Sequence, residues 1–354
     1  MNAWNKEKTL NLIENAIDQL DPDLVFALVN ALGIDMDWEV PFTHYDDGTQ
    51  GKPDGYTYSV SYQNESFGWS VQPIPVTGDF ENVNDKISTL EAFASFNNYD
   101  AVKDLGDKLK EEIRTRYKGC FPEKSAEEIE KMVEATVKNI DSNYGREDKS
   151  TDFMLYYDED VKVFAKDLKE YDGVTLQYVA VMPVKENLAT FTKNLTAKKL
   201  ETYFKELKDL KKENFKENTI TYIKGYMPKF TYDYSLDLEA DLKALGVTDV
   251  FEAGKADLSK IDGTKELVIA QAIHKATIEL TQYGIKAAAV TMGGGAGNAS
   301  SCPYYLKELP IEEIDMNFNK PFMYIIRDKD SGEVWFTGSV YNPLAWAKDP
   351  DNRY

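Results

Sequence analysis

Residues 269–301 read IAQAIHKATIELTQYGIKAAAVTMGGGAGNASS. The run opens as a strand, with the segment TIEL at 277–280, and reaches one glycine, Gly284. A strand that ends at a glycine ordinarily gives way to a tight turn. Here Ala287-Ala288-Ala289-Val290-Thr291 follows, small and still strand-capable, and only then does the chain lose its order signals, in Gly293-Gly294-Gly295-Ala296-Gly297. The combination reads as a loop with two states, one exposed and one added to a sheet.

Working outward, residues 24–32 (LVFALVNAL) are a near-continuous apolar run. Such a run reads as a strand buried on both faces of a covered sheet. Asn30 in its middle then requires a hydrogen-bond partner, because an unsatisfied buried amide costs a few kcal/mol. Before it, Trp4, Leu10, Leu12, Ile13, Ile17 and Leu20 predict an amphipathic helix over 2–20, ended by Asp21-Pro22-Asp23. Strands are predicted at 153–157, 175–183, 219–226 and 227–232, a helix over 188–212, and a short helix from Leu236 to Leu245 stopped by Gly246. PFMYIIRD and EVWFTGSV flank a turn and predict a hairpin. The block 47–150 reads as an inserted, mostly helical subdomain, with Ser125-Ala126-Glu127-Glu128 as a capping box.

The 354 residues are 42% hydrophobic and 12% aromatic, enough for a globular core, and carry a net charge of −20. That charge repels phosphate backbones and anionic membranes, so no nucleic-acid or membrane partner is expected. No stretch approaches transmembrane length and no apolar signal core opens the chain. Cys120 and Cys302 form neither a disulfide framework nor a zinc spacing, and leave a single bridge open. Neither metal nor cofactor is expected.

Candidate chemistry is sparse. Asp328-Lys329-Asp330-Ser331-Gly332-Glu333 lies between strand runs and reads as a turn, not a calcium loop. No Gly-Lys-Ser/Thr follows the glycines at 293–297, so they make no phosphate loop. With two histidines, His44 and His274, and no nucleophile elbow, a catalytic dyad on Cys302 or a serine is weak. His274 in IAQAIHKATIEL reads as a satisfied core histidine, with Asn30 as a candidate partner. The chain is not read as an enzyme.

Several segments together resemble the serpin family. DPDLVFALVNALGIDMDWEVPF (21–42) is similar to the strand lining the gap in that family's large central sheet. MPKFTYDYSLDLEADLKALGVTDVF (227–251), ADLSKID, IAQAIHKATIEL and GIKAAAVT resemble the strands, short helix and hinge leading into the reactive loop. FNKPFMYIIRDKDSGEVWFTGSVYNP (318–343) resembles the closing hairpin. The segments stand in the family's order over about 1–46 and 151–343.

The resemblance, to a bacterial-type serpin, implies an α+β, multi-sheet fold: a large central β-sheet, covering helices and a mostly helical insertion. The segments would be 1–46 with a helix and central strand, 47–150 as the insertion, and 151–354 with the reactive loop at about 284–305. The implied function is inhibition of a serine or cysteine protease: the loop is cleaved and inserts as a new strand. Hinge residues would be Gly284, Ile285, Lys286, Ala287, Ala288, Ala289, Val290 and Thr291, with the scissile bond near Asn298-Ala299. Asn30 and His274 match the polar pair that holds the sheet's opening point.

Strand alternation puts Ile285, Ala287, Ala289, Thr291 and Gly293 on one face and Lys286, Ala288, Val290 and Met292 on the other. Ile285 stands where a small Thr or Ser is usual, and Lys286 replaces a usual Glu. The alternative reading is therefore a non-inhibitory serpin-fold binding or structural protein, or an inactive truncated serpin. The family's earlier helices and strands have no counterpart here, so the N-terminal part of the fold is expected to be lacking. A monomer is expected. Location by resemblance is extracellular or at the cell envelope; a complete chain without a signal would be cytoplasmic.

Overall fold

The computed structural model describes residues 2–9, 13, 26–42, 56–62, 65–71, 80–81, 87–144, 147–149, 151–281, 284–285, 311–345 and 348. In chain order the first elements are α1 (Asn2–Lys8), β1 (Ala27–Gly33), β2 (Met36–Asp37), β3 (Tyr56–Tyr62), β4 (Glu65–Val71) and β5 (Thr89–Asn97). Helices α2 (Ala101–Leu105), α3 (Asp107–Cys120) and α4 (Ala126–Asn143) follow. Next come β6 (Glu147–Lys149), β7 (Met154–Tyr157), β8 (Val161–Asp167), β9 (Leu176–Pro183), α5 (Leu188–Asn194), α6 (Ala197–Lys205) and β10 (Lys208–Asp209). The chain continues through β11 (Ile220–Pro228), β12 (Phe230–Asp237), α7 (Glu239–Ala244), α8 (Ser259–Asp262), β13 (Gln271–Leu280) and β14 (Gly284–Ile285). It closes with β15 (Ile311–Asp315), β16 (Phe322–Asp328) and β17 (Val334–Val340).

Two compact units result, Met1–Asp37 with Phe230–Ala287, and Trp38–Lys229 with Ala288–Tyr354. The first holds a three-stranded sheet in the order β1-β13-β12. β13 is central, parallel to β1 and antiparallel to β12. α7 ends as the sequence predicts: Gly246 takes a φ of +93°, which a side chain disfavours, and the Val247 N–H closes back on the Leu242 carbonyl. The run at 24–32 differs from expectation. Leu28 is 44% exposed and Asn30 is also exposed. Among the described residues β1 has a strand on one side alone, which leaves its other backbone edge without a ladder.

The second unit is built on a six-stranded sheet, β10-β7-β8-β9-β16-β17. β9 (LQYVAVMP) is buried throughout, as a strand covered on both faces must be. On one face Val161, Val163, Ala165, Val179, Val181 and Ile325 pack with Leu188, Phe191 and Tyr203 of α5 and α6. On the other lies an aromatic layer: Trp38 against Phe42 and Tyr178, and Phe164 against Phe42, Phe153 and Phe318. The predicted single helix over 188–212 is two helices and a short strand. It breaks at Leu195, because Thr196 accepts from the Lys199 N–H and so starts a new helix.

A four-stranded sheet, β15-β11-β5-β6, and the β3-β4 hairpin complete the strands. β5 comes from the segment read as mostly helical and is a full partner of β11, from Thr89↔Pro228 to Asn97↔Ile220. Helix is confined to α2–α4, where Leu109, Ile113, Tyr117, Ile129 and Val133 form a separate core. α4 opens with the capping box: Ser125 Oγ accepts from the Glu128 N–H, and the Glu128 carboxylate accepts from the Ser125 N–H at 2.9 Å.

One strand position is specified by close packing. Gly338 in β17 lies opposite Tyr324, and a Cβ there would stand 2.6 Å from the Tyr324 hydroxyl oxygen. The ring cannot swing aside freely, since it stacks on Tyr178 at 6.2 Å between centroids. Gly338→Ala is expected to lower the urea midpoint by the equivalent of about 1–3 kcal/mol with no change in denaturant slope.

Candidate functional site

β1 and β13 face one another over seven residue pairs in parallel, from Ala27↔Gln271 to Gly33↔Thr277, and Asn30 is the register partner of His274. The alignment continues below the strands, where the Ala270 N–H donates to the Phe26 carbonyl at 3.1 Å. β13 is anchored on its other edge: Asp237 to Phe230 pair with Ile273 to Leu280, the Leu238 N–H donates to the Ala272 carbonyl at 2.7 Å, and Thr277 Oγ1 donates to Asp233 at 2.8 Å. Tyr234 meets the His274 ring edge-on at 6.4 Å. Of the two ladders, the parallel one is the weaker per residue.

Beyond the C-terminal end of β13 comes the short strand β14. Thr281 is buried, and two residues beyond Gln282-Tyr283 begin β14, which pairs antiparallel with β2: Gly284 opposite Asp37 and Ile285 opposite Met36. β2 follows β1 in sequence after Ile34 and Asp35. The backbone of Gly284 and Ile285 is thus already paired with the short strand that follows β1 in sequence. Lys286, Ala287, Ala288, Ala289, Val290, Thr291, Asn298 and Ala299 lie outside the described residues.

Residues 126–343, more than half of the chain, match the model of the family described as Serpin (serine protease inhibitor). The chain belongs to the serpin family. It is 30% identical over 225 residues to the human leukocyte elastase inhibitor and 28% identical over 227 residues to the horse protein of that name. These alignments cover 60% of this chain and 54% and 55% of the relatives, so the chain spans about half their length. An uncharacterized serpin-like protein of Methanosarcina acetivorans is 31% identical over 188 residues. Among solved structures, the thermophilic serpin tengpin in its native state aligns over 96% of this chain and 62% of its own, at TM-score 0.51 and 19% identity. The thyroxine complex of thyroxine-binding globulin aligns with TM-score 0.52 over 97% of this chain and 63% of its own, at 15% identity. The fold is thus serpin-like, α+β with several sheets.

One charged group in this serpin gave no functional signal in the sequence. In β8 the odd positions 161, 163 and 165 face α5 and α6, so Phe164 and Lys166 face the aromatic layer. Lys166 is 1% exposed. Its ammonium donates to Thr151 Oγ1 and to the Asp152 carbonyl at 2.6 Å, and lies 5.0 Å from the Phe42 ring centre and 5.8 Å from that of Trp38. Desolvation pulls its pKa down to about 7, against the opposing pull of Asp152 and Asp167. The trace in the sequence is a lysine at an inward-facing position of an alternating strand, VKVFAKD. Cys120, the last residue of α3, is disulfide-bonded. Among the described residues no cluster of three or more His, Cys, Asp or Glu could hold a metal, and no helix is long and apolar enough to cross a membrane.

Proposed function

We propose that the chain acts as a serpin-type inhibitor that traps a serine or cysteine endopeptidase by inserting its cleaved loop between β1 and β13. One observation carries this: β1 and β13 are parallel neighbours, and β14, which follows β13, is already paired antiparallel with β2, which follows β1. A strand inserted there would replace one parallel ladder with two antiparallel ones. In this scheme the protease nucleophile attacks a loop carbonyl and forms an acyl bond as the peptide C–N bond breaks. The leaving amine takes the proton and becomes a new N-terminus. The freed strand then inserts from Gly284 and Ile285 through Lys286, Ala287, Ala288, Ala289, Val290 and Thr291, before water reaches the ester or thioester.

In the same proposal Asn30 and His274, opposite one another at mid-seam, are the groups that part when the sheet opens. Residues 1–46 and 151–354 supply the inhibitory fold, with the loop at about 284–305 and the scissile bond near Asn298-Ala299. The chain acts as a monomer, and the disulfide at Cys120 suits an oxidising setting at the cell envelope or outside it. Incubation with serine and cysteine endopeptidases is expected to give a 1:1 adduct that survives SDS. Ile285 at the hinge favours one other reading, a serpin-fold binding protein whose loop is a mere substrate. Clean nicking without any adduct would establish that second reading and sink the first.

A further inference from the structure

Three aromatic rings converge on one cation where α5 and α6 cover the six-stranded sheet. Phe191 of α5 and Tyr203 of α6 are 2% and 3% exposed and belong to the core there, and Tyr156 of β7 packs against it. Tyr156 and Tyr203 stand 5.5 Å apart between ring centres, tilted by 34°. The Lys199 ammonium lies 5.4 Å from the centre of the Phe191 ring and 5.9 Å from that of Tyr203. Lys199 and Tyr203 are one helical turn apart, so they share a face of α6. Lys199 is itself exposed, so a single solvent-facing side chain lies over two buried rings.

The anion beside these rings is Asp158. Burial pushes its pKa up, but the hydrogen bonds from Tyr156, Asp160 and Val161 and the charge of Lys199 outweigh that and hold it below the ordinary carboxylate range. Its acceptor positions are nearly spent. Oδ2 accepts from the Tyr156 hydroxyl at 2.8 Å, and Oδ1 accepts from the Asp160 and Val161 N–H groups at 2.8 Å each. A carboxylate has about four such positions. The adjacent Glu159 and Asp160 are engaged by Lys185, at 2.7 and 3.0 Å. The corner therefore offers negative charge and ring faces, with little left to receive an N–H donor. That suits a cation that carries no N–H and sheds its water more easily than a primary ammonium does. We propose that Phe191, Tyr203, Tyr156 and Asp158 form a binding site for the quaternary ammonium group of a small solute, held closed by Lys199. The site does not rest on strand insertion.

The test titrates the full chain with choline and with its neutral isostere, in which a tert-butyl group replaces the trimethylammonium, and reads dissociation constants by ligand-observed NMR. Choline is expected to bind at least roughly tenfold tighter than the isostere. Lys199→Ala, a change at an exposed helix position, is expected to tighten choline roughly tenfold by removing the resident cation. Tyr203→Leu is expected to weaken it to the level of the isostere. The first two measurements leave the core untouched, so they decide the matter if Tyr203→Leu does not fold. Equal binding of the isostere, no gain in Lys199→Ala, or choline binding unchanged in a folded Tyr203→Leu overturns the site. So does an absence of choline binding to the natural chain. Phosphatidylcholine vesicles form the last arm. Their capture of the chain without binding of free choline places the headgroup on a lipid surface and overturns the small-solute assignment.

Discussion

Nicking the loop past Gly294 is expected to raise the melting temperature by on the order of 10 °C. The reason lies in the seam. β1 and β13 share one parallel ladder of seven residue pairs. A strand between them removes that ladder and makes two antiparallel ones, a net gain of roughly eight backbone hydrogen bonds at about 1 kcal/mol each. With an unfolding entropy of about 2.1 cal/mol/K per residue, a chain of this size converts that gain to on the order of 10 °C. Calorimetry before and after cleavage checks it. An unchanged or lower melting temperature would mean that the cut loop stays outside the sheet. Ile285→Pro, which removes an N–H from β14, is expected to reduce the rise.

Lys166→Met is expected to abolish a stability gradient of about 1.4 kcal/mol per pH unit on the alkaline side of neutrality. The ammonium has a pKa of about 7 in the fold against an ordinary 10.5. Between those values the unfolded chain binds the proton and the folded chain does not, so stability rises with pH across the window. Below about 7 both states are protonated and the slope vanishes. The full term is on the order of 5 kcal/mol. Removing the amine does not leave Thr151 bare, because its hydroxyl also reaches the Val40 carbonyl at 3.4 Å.

Glu91 in β5 works in the opposite sense. Desolvation raises its pKa from 4.5 to about 7. There the folded chain holds the extra proton, so stability falls as pH rises from 4.5 to 7 and is level above. Together the two groups give a minimum of stability near neutral pH. Urea midpoints from pH 5 to 10 should trace that valley in the natural chain and lose its alkaline wall in Lys166→Met. A wall that persists in the variant would assign the gradient to another group.

The strands β1 and β13 were legible in the sequence because each leaves a local mark. The apolar run around Asn30, the alternation of QAIHKATIEL, the stop at Gly284 and the small residues after it are all signals within a dozen residues. What joins them is not local. Asn30 was a candidate partner of His274 on chemical grounds, but only resemblance to a family set the two opposite one another, since no periodicity sets the register of strands so far apart. The same limit hid β5. TLEAFASFN carries apolar residues at spacings that suit a helix, and its strand state is decided by β11 and β6, which the sequence does not place beside it. The break after Asn194 was decided by one hydroxyl, that of Thr196. Lys166 was passed over because a lysine in an acidic chain reads as surface. Its burial depends on Trp38, Phe42 and Thr151 converging from other parts of the chain.

The spacing of β1 and β13 also has a consequence for synthesis. The two strands are separated by roughly 240 residues, which a ribosome adding about 5–20 residues per second delivers over roughly 10–50 s. Throughout that interval FALVNAL has emerged while its partner has not. Everything from Trp38 to Lys229 can collapse first, and the ladder that closes the first unit is left to the end of translation. The nascent chain thus carries an apolar strand waiting for its mate, the kind of segment that chaperones bind and that neighbouring chains on a polysome can capture.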